Sequence, residues 1–239
     1  MTYDEFRKLA RDSALSPYEK IGFPNSYREG KEDLIFEDIL RKLPNLVRGN
    51  QTVVDVGPGC SGLAHMLLDH CRERGDRLIL ADSKEMLDHL PDSDSVEKVA
   101  GRFPDECAEM IARFSGKADV VLTYSVFHYV FDEGDVNEFL DSLTSLLAPG
   151  GQLLVGDIPN VSRRARFFAS ESGIRYHQEF TGTDTLPPAV DLSARAIDDE
   201  LLLSMVRRAR NAGFDAFLVP QSSNLPMSNR REDFLVTRP

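Results

Sequence analysis

From Gln51 onward, short apolar runs alternate with segments whose apolar residues recur at helical spacing. The runs at 52–56, 77–81, 96–100, 118–123, 152–157, 216–220 and 233–237 read as strands. The stretches 62–74, 85–90, 105–114, 136–147 and 198–212 read as helices between them. Such alternation predicts a doubly wound α/β fold: a mostly parallel seven-stranded sheet with helices on both faces. The turn Ala148-Pro149-Gly150-Gly151 stops a helix before the fifth strand. The last two strands are joined by only 221–232, too short for a crossover helix, so they should form an antiparallel C-terminal hairpin.

Two parts stand outside this rhythm. Residues 1–50 carry amphipathic patterns at 3–14 and 32–43 around a turn at Ser16-Pro17, and residues 159–196 form a long insertion. Ligands of open α/β sheets bind beyond the carboxyl ends of the strands. We therefore expect one domain spanning residues 1–239, with 1–50 as an N-terminal helical cap and 159–196 as an inserted substrate lid.

The first strand and helix enclose Val53-Val54-Asp55-Val56-Gly57-Pro58-Gly59-Cys60-Ser61-Gly62. Glycines at such a turn let backbone approach a ligand closely. Gly57, Gly59 and Gly62 also satisfy the dinucleotide spacing G-x-G-x-x-G. Asp55 argues against a pyrophosphate on the following helix N-terminus, because it would repel it, and suits a ligand carrying an ammonium group or hydroxyls. The chain here resembles the class I S-adenosylmethionine-dependent methyltransferases, whose first strand and loop commonly read acid-x-Gly-x-Gly. The terminal hairpin and seven strands extend that resemblance over residues 50–239.

The resemblance implies S-adenosyl-L-methionine as cofactor and S-adenosyl-L-homocysteine as product. It assigns cofactor contacts to Asp55, Gly57 and Gly59, and to Asp82 at the tip of the second strand, which suits ribose hydroxyls. Ser83, Met86, Phe103, Tyr124 and Ser125 complete the expected cofactor set. Where relatives carry Gly-Asp or Gly-Glu after the third strand, this chain has Gly101-Arg102, so Arg102 receives no cofactor role. An acceptor that must lose a proton benefits from a base, and His128 after the fourth strand and Asp157 ending the fifth are the candidates. His65, His70 and His89 fall on helices and read as structural. Tyr27, Arg28, Tyr129, Arg163 and His177 are candidate substrate contacts; Arg163 belongs to a run of three arginines beside Phe167 and Phe168. With Phe23-Pro24-Asn25-Ser26-Tyr27-Arg28, that run is loosely similar to methyltransferases of surface-glycan sugar pathways.

A net charge of −11 argues against bulk nucleic acid as partner. Cys60, Cys71 and Cys107 have no metal-ligand or disulfide spacing, so no metal is expected. The start of the chain lacks a leader pattern and no segment reaches membrane-spanning length, which suggests a cytoplasmic enzyme. The function expected is methyl transfer to an oxygen or nitrogen of a small molecule, such as a sugar or nucleotide-linked metabolite. An NAD-dependent oxidoreductase and a non-catalytic S-adenosylmethionine-binding regulatory protein are the alternatives.

Overall fold

The computed structural model describes residues 1–192 and 194–239. Its strands are β1 (Thr52–Val56), β2 (Arg77–Asp82), β3 (Val96–Ala100), β4 (Ala118–Tyr124), β5 (Leu147–Pro159), β6 (Asp215–Pro220) and β7 (Arg231–Thr237). They form one sheet in the order β3-β2-β1-β4-β5-β7-β6. The first five are parallel, and β7 runs antiparallel to both β5 and β6. The sheet and its terminal hairpin follow the expectation from the sequence.

Burial on both faces explains the unbroken apolar strands. Val54, Val56, Ile79 and Val121 join the core on one face, while Val53, Leu78, Leu80, Val120 and Leu122 join that on the other. Asp55 shares the second face and pairs in register with Leu80 and Leu122. It is thus a carboxylate in an apolar layer.

The helices are α1 (Tyr3–Arg11), α2 (Pro17–Lys20), α3 (Asn25–Arg28), α4 (Glu32–Lys42), α5 (Gly62–Arg74), α6 (Lys84–Leu87), α7 (Ala108–Phe114), α8 (Phe127–Glu133), α9 (Val136–Ser145), α10 (Val161–Phe168), α11 (Glu171–Thr181) and α12 (Asp199–Asn211). Local chemistry sets several ends. Thr2 and Glu5 form a capping box on α1, Asp198 accepts the Leu201 amide at the start of α12, and α5 stops at Gly75 with φ 71°.

Two departures from the sequence reading have physical causes. The turn expected at 148–151 is absorbed into β5, which pairs with β4 from Leu147 onward across a register shift. Residues 127–133 had no helix assigned, yet they form α8: Phe127 is fully buried and Val130 and Phe131 pack on the same core, a helical spacing hidden in an aromatic run. The insertion carries helices, as expected: α10 and α11 occupy half of it and pack on each other through Phe167, Phe168 and Tyr176.

Candidate active site

At the carboxyl ends of β1, β2 and β4 lies a cavity of about 990 Å³, open solvent at its mouth included. Its floor is the glycine turn. Gly57 and Gly59 take φ 73° and 64°, the left-handed region where a side chain is strained. A Cβ on Gly57 would sit 2.5 Å from Val126, and one on Gly59 2.5 Å from Ile21, so neither position tolerates a side chain. Asp82 forms one wall and is held by two backbone amides: Ser83 donates to Oδ1 at 2.6 Å and Gly59 to Oδ2 at 3.0 Å. Burial outweighs those bonds and pushes its carboxyl up to about 6. Met86, Phe103, Tyr124 and Ser125 line the same cavity, as expected. Ser83 does not; its hydroxyl caps α6 by accepting the Met86 amide.

Asp55 also stands back from the cavity, buried beneath the turn. Desolvation, then the Asp82 charge, pushes it up to about 8. Arg102 does line the cavity, and with it Glu133 from α8, whose Oε2 lies 3.9 Å from Arg102 Nη2. The acid missing after Gly101 is thereby matched by one arriving from another element.

The N-terminus of α5 is already occupied. Glu32 of α4 is buried there, and a Cβ on Gly62 would lie 2.3 Å from its Oε2. Hydrogen bonds from Ser61 and from the Gly62 and Leu63 amides favour its ionised form, although burial dominates and raises its pKa. In dinucleotide enzymes a phosphate rests at this helix end. Here the chain fills the position with its own carboxylate, so the pyrophosphate of NAD would meet Glu32. A methyl donor without phosphate has no such conflict, and the cavity residues fit S-adenosylmethionine.

The N-terminal segment lines the cavity through Tyr3, Phe6, Ile21, Phe23 and Arg28. Arg28 is nearly fully buried, with its guanidinium 4.4 Å from the Phe23 ring centre and 5.7 Å from that of Tyr124. It donates to the Ser125 hydroxyl, and that hydroxyl donates to Asp157 Oδ2. Arg231 Nη1 donates to the same oxygen at 2.7 Å, and Arg28 Nη2 is 3.6 Å from it. Ser125 and Asp157 both hold φ near 60°, at 62° and 63°. Such strain in residues other than glycine persists where surrounding contacts over-determine it, and it clusters at functional sites. Behind them, the Asp157 amide donates to Asp233 Oδ1 at 2.8 Å, and Lys42 Nζ pairs with Asp233 Oδ2 at 2.6 Å.

Arg28 and Asp157 also line a narrow second cavity with Tyr27 and Arg231. Tyr27, Leu225, Pro226 and Met227 border both this neck and an outer groove, which Arg163 and Tyr176 of the insertion help to wall. The insertion therefore borders the outer groove, and none of its described residues lines the cofactor cavity. Tyr129 lines the cofactor cavity and packs edge-on against Phe6 at 4.7 Å.

The remaining candidates stand apart. His128 lines none of these cavities; its ring lies 3.8 Å from that of Tyr129, and its buried Nδ1 has no partner among the described residues. Burial, reinforced by Arg231, pushes it down to about 4. His177 likewise lines none of them, and its Nε2 lies 3.5 Å from the Thr185 hydroxyl. His70 and His89 bond the carbonyls of Leu46 and Ala10. Among the described residues no cluster of His, Cys, Asp or Glu is arranged to hold a metal, and no helix is long and apolar enough to cross a membrane. Sequence reading missed Glu32 and Arg231. Nothing local marks either one, because each acts through a partner far away in the chain.

Residues 54–155, from the first strand into the fifth, match the family model described as a methyltransferase domain. No curated protein matches the chain in sequence. Among solved structures, a Methanococcus maripaludis protein named as an S-adenosyl-L-methionine-dependent methyltransferase is 16% identical, covers 99% of this chain and 93% of its own, with a TM-score of 0.53. An O-methyltransferase family protein from Burkholderia thailandensis is 17% identical, with 99% of this chain and 68% of its own covered at a TM-score of 0.52. The pyocyanin biosynthetic protein PhzM is 16% identical, with 100% and 62% covered at 0.56. At these identities the neighbours establish the fold alone.

Proposed function

We propose that this chain, a class I S-adenosylmethionine-dependent methyltransferase whose methyl donor is S-adenosyl-L-methionine, methylates an oxygen or nitrogen of a small-molecule acceptor. When bound, the cofactor supplies a methyl carbon already activated by positive sulfur. The observation that carries the acceptor reading is the shared walls: Phe23, Arg28 and Tyr124 border both the cofactor cavity and the neck, and Tyr27, Leu225, Pro226 and Met227 border both the neck and the outer groove. The neck is small, about 290 Å³ with open solvent included, and suits the reacting end of a small acceptor better than a folded macromolecule.

In this reading Asp82 accepts hydrogen bonds from the ribose hydroxyls, while the glycine turn lets the donor lie against backbone. Met86, Phe103 and Glu133 frame the adenine end. Tyr124 borders both the neck and the cofactor cavity and Ser125 the cofactor cavity, so they orient the reacting groups. Asp157, fixed by Ser125 and Arg231, accepts a hydrogen bond from the acceptor's OH or NH and aims its lone pair at the methyl carbon. The acceptor–carbon bond forms as the carbon–sulfur bond breaks, and the acceptor's proton passes to solvent. Alignment supplies most of the rate, since well-oriented reactants gain roughly 7–11 kcal/mol. The Asp82 carboxyl on the cavity wall favours a cationic donor over an anionic cofactor.

The test is methyl transfer from labelled S-adenosylmethionine to a library of hydroxyl- and amine-bearing metabolites, read by mass. A gain of one methyl on a small acceptor supports the reading. Transfer confined to protein or nucleic acid would overturn it.

A further inference from the structure

The outer groove has a charge opposite to that of the whole molecule. The chain carries a formal net charge of −11, yet the charged side chains lining the groove are Lys31 and Arg163, with no carboxylate between them. The neck beneath adds Arg28 and Arg231 against the single carboxylate of Asp157. The acid that orients Arg163 lies behind the wall. Glu232 holds Arg163 Nη1 at 3.1 Å and lines none of these cavities. Asp233 is fully buried, pairs with Lys42 and supports Asp157 from its amide side. The Lys31 ammonium has no hydrogen-bond or ion-pair partner among the described residues. Cations toward the cavity with carboxylates behind them make an electrostatic surface complementary to an anion. The rest of the wall is neutral and hydrogen-bonding, with Ser26, Ser223, Asn224 and Ser228 interleaved with Tyr27 and Tyr176.

We propose that the outer groove holds the acceptor by an anionic group, a carboxylate or a phosphate, which Lys31 and Arg163 engage while the methylated atom reaches through the neck. This rests on the methyltransferase reading and names the substrate class for it. The anion is the address and the neck selects the atom. An acceptor lacking the charge leaves Lys31 unpaired and loses the contact that fixes its register.

Enzyme saturated with S-adenosylhomocysteine is titrated with malonate, with inorganic phosphate and with uncharged malonamide, by calorimetry and by amide chemical shifts. Malonate or phosphate should bind with shifts centred on Lys31, Arg163 and 223–229, and malonamide should not. Stronger malonate binding assigns a carboxylate, and stronger phosphate binding assigns a phosphate ester. Lys31→Ala and Arg163→Gln should each weaken the preferred anion by roughly tenfold or more, the scale for hydrogen bonds to charged partners. Lys31→Arg should retain it. Anions that bind no better than malonamide, or equally well to both neutral variants, overturn the proposal. The first titration, of S-adenosylhomocysteine itself, separates the two readings: normal binding there with no anion binding sinks the groove assignment alone.

Discussion

Asp55 and Asp82 lie on neighbouring strands, β1 and β2, and the structure gives them different work. Asp82 faces the cavity, so Asp82→Ala should cost roughly 1.5–3 kcal/mol of S-adenosylmethionine affinity, measurable by calorimetry. Asp55 is enclosed, and both carboxyls sit above the usual carboxylate value of 3.8, at about 8 and about 6. The folded state therefore holds protons that the unfolded chain releases. Their contribution to stability is complete below about pH 4 and is lost as pH rises through about 6 for Asp82 and about 8 for Asp55. Asp55→Asn should accordingly gain thermal stability relative to the native chain between pH 5 and pH 9. A difference in melting temperature that stays constant across that range contradicts the assignment. His128 was the natural sequence candidate for a base, because a histidine after the fourth strand suits the chemistry. Lying outside the cavities and pushed down to about 4, it should matter little: His128→Ala should lower single-turnover transfer less than tenfold at neutral pH. A loss of 10²–10⁴-fold, the range for general-base catalysis, would restore it to that role.

Among the elements, the contact between α4 and α5 carries the most specific expectation. Gly62→Ala places a methyl 2.3 Å from Glu32 Oε2, a collision that the buried carboxylate has little room to escape. That variant should be destabilised, and adding Glu32→Ala should recover much of the loss. Additive losses in thermal melts would argue that the two positions are uncoupled. Helix α8 depends on Phe127, buried in the sheet core, so Phe127→Ala should cost about 3–5 kcal/mol in denaturant unfolding. The strands and the long helices were legible because their signals are local: apolar runs, caps and glycine stops. What escaped has one cause. Glu32 meets Gly62 across twenty-nine intervening positions, and Arg28, Asp157 and Arg231 converge from three elements, so no window of sequence contains the arrangement. In α8, Phe127 and Phe131 keep helical spacing, but the aromatic residues around them also suit a strand end. The insertion was legible as an addition to the sheet, while its position beside the outer groove was not.

For the molecule as a whole, the sheet order places the ends of β1, β2 and β4 at one cavity, and the N-terminal segment closes over it with Phe6, Ile21 and Arg28. The glycine turn alone was compatible with NAD. The three-dimensional arrangement decides between the cofactors, since Glu32 occupies the helix end that a pyrophosphate needs and two buried acids surround the turn. The account therefore stands most directly on one measurement: calorimetric titration of the native chain with S-adenosylhomocysteine, S-adenosylmethionine and NAD under the same conditions. It predicts saturable heat with both sulfur compounds and none with NAD. Heat with NAD alone would contradict the reading of the glycine turn and of everything built on it.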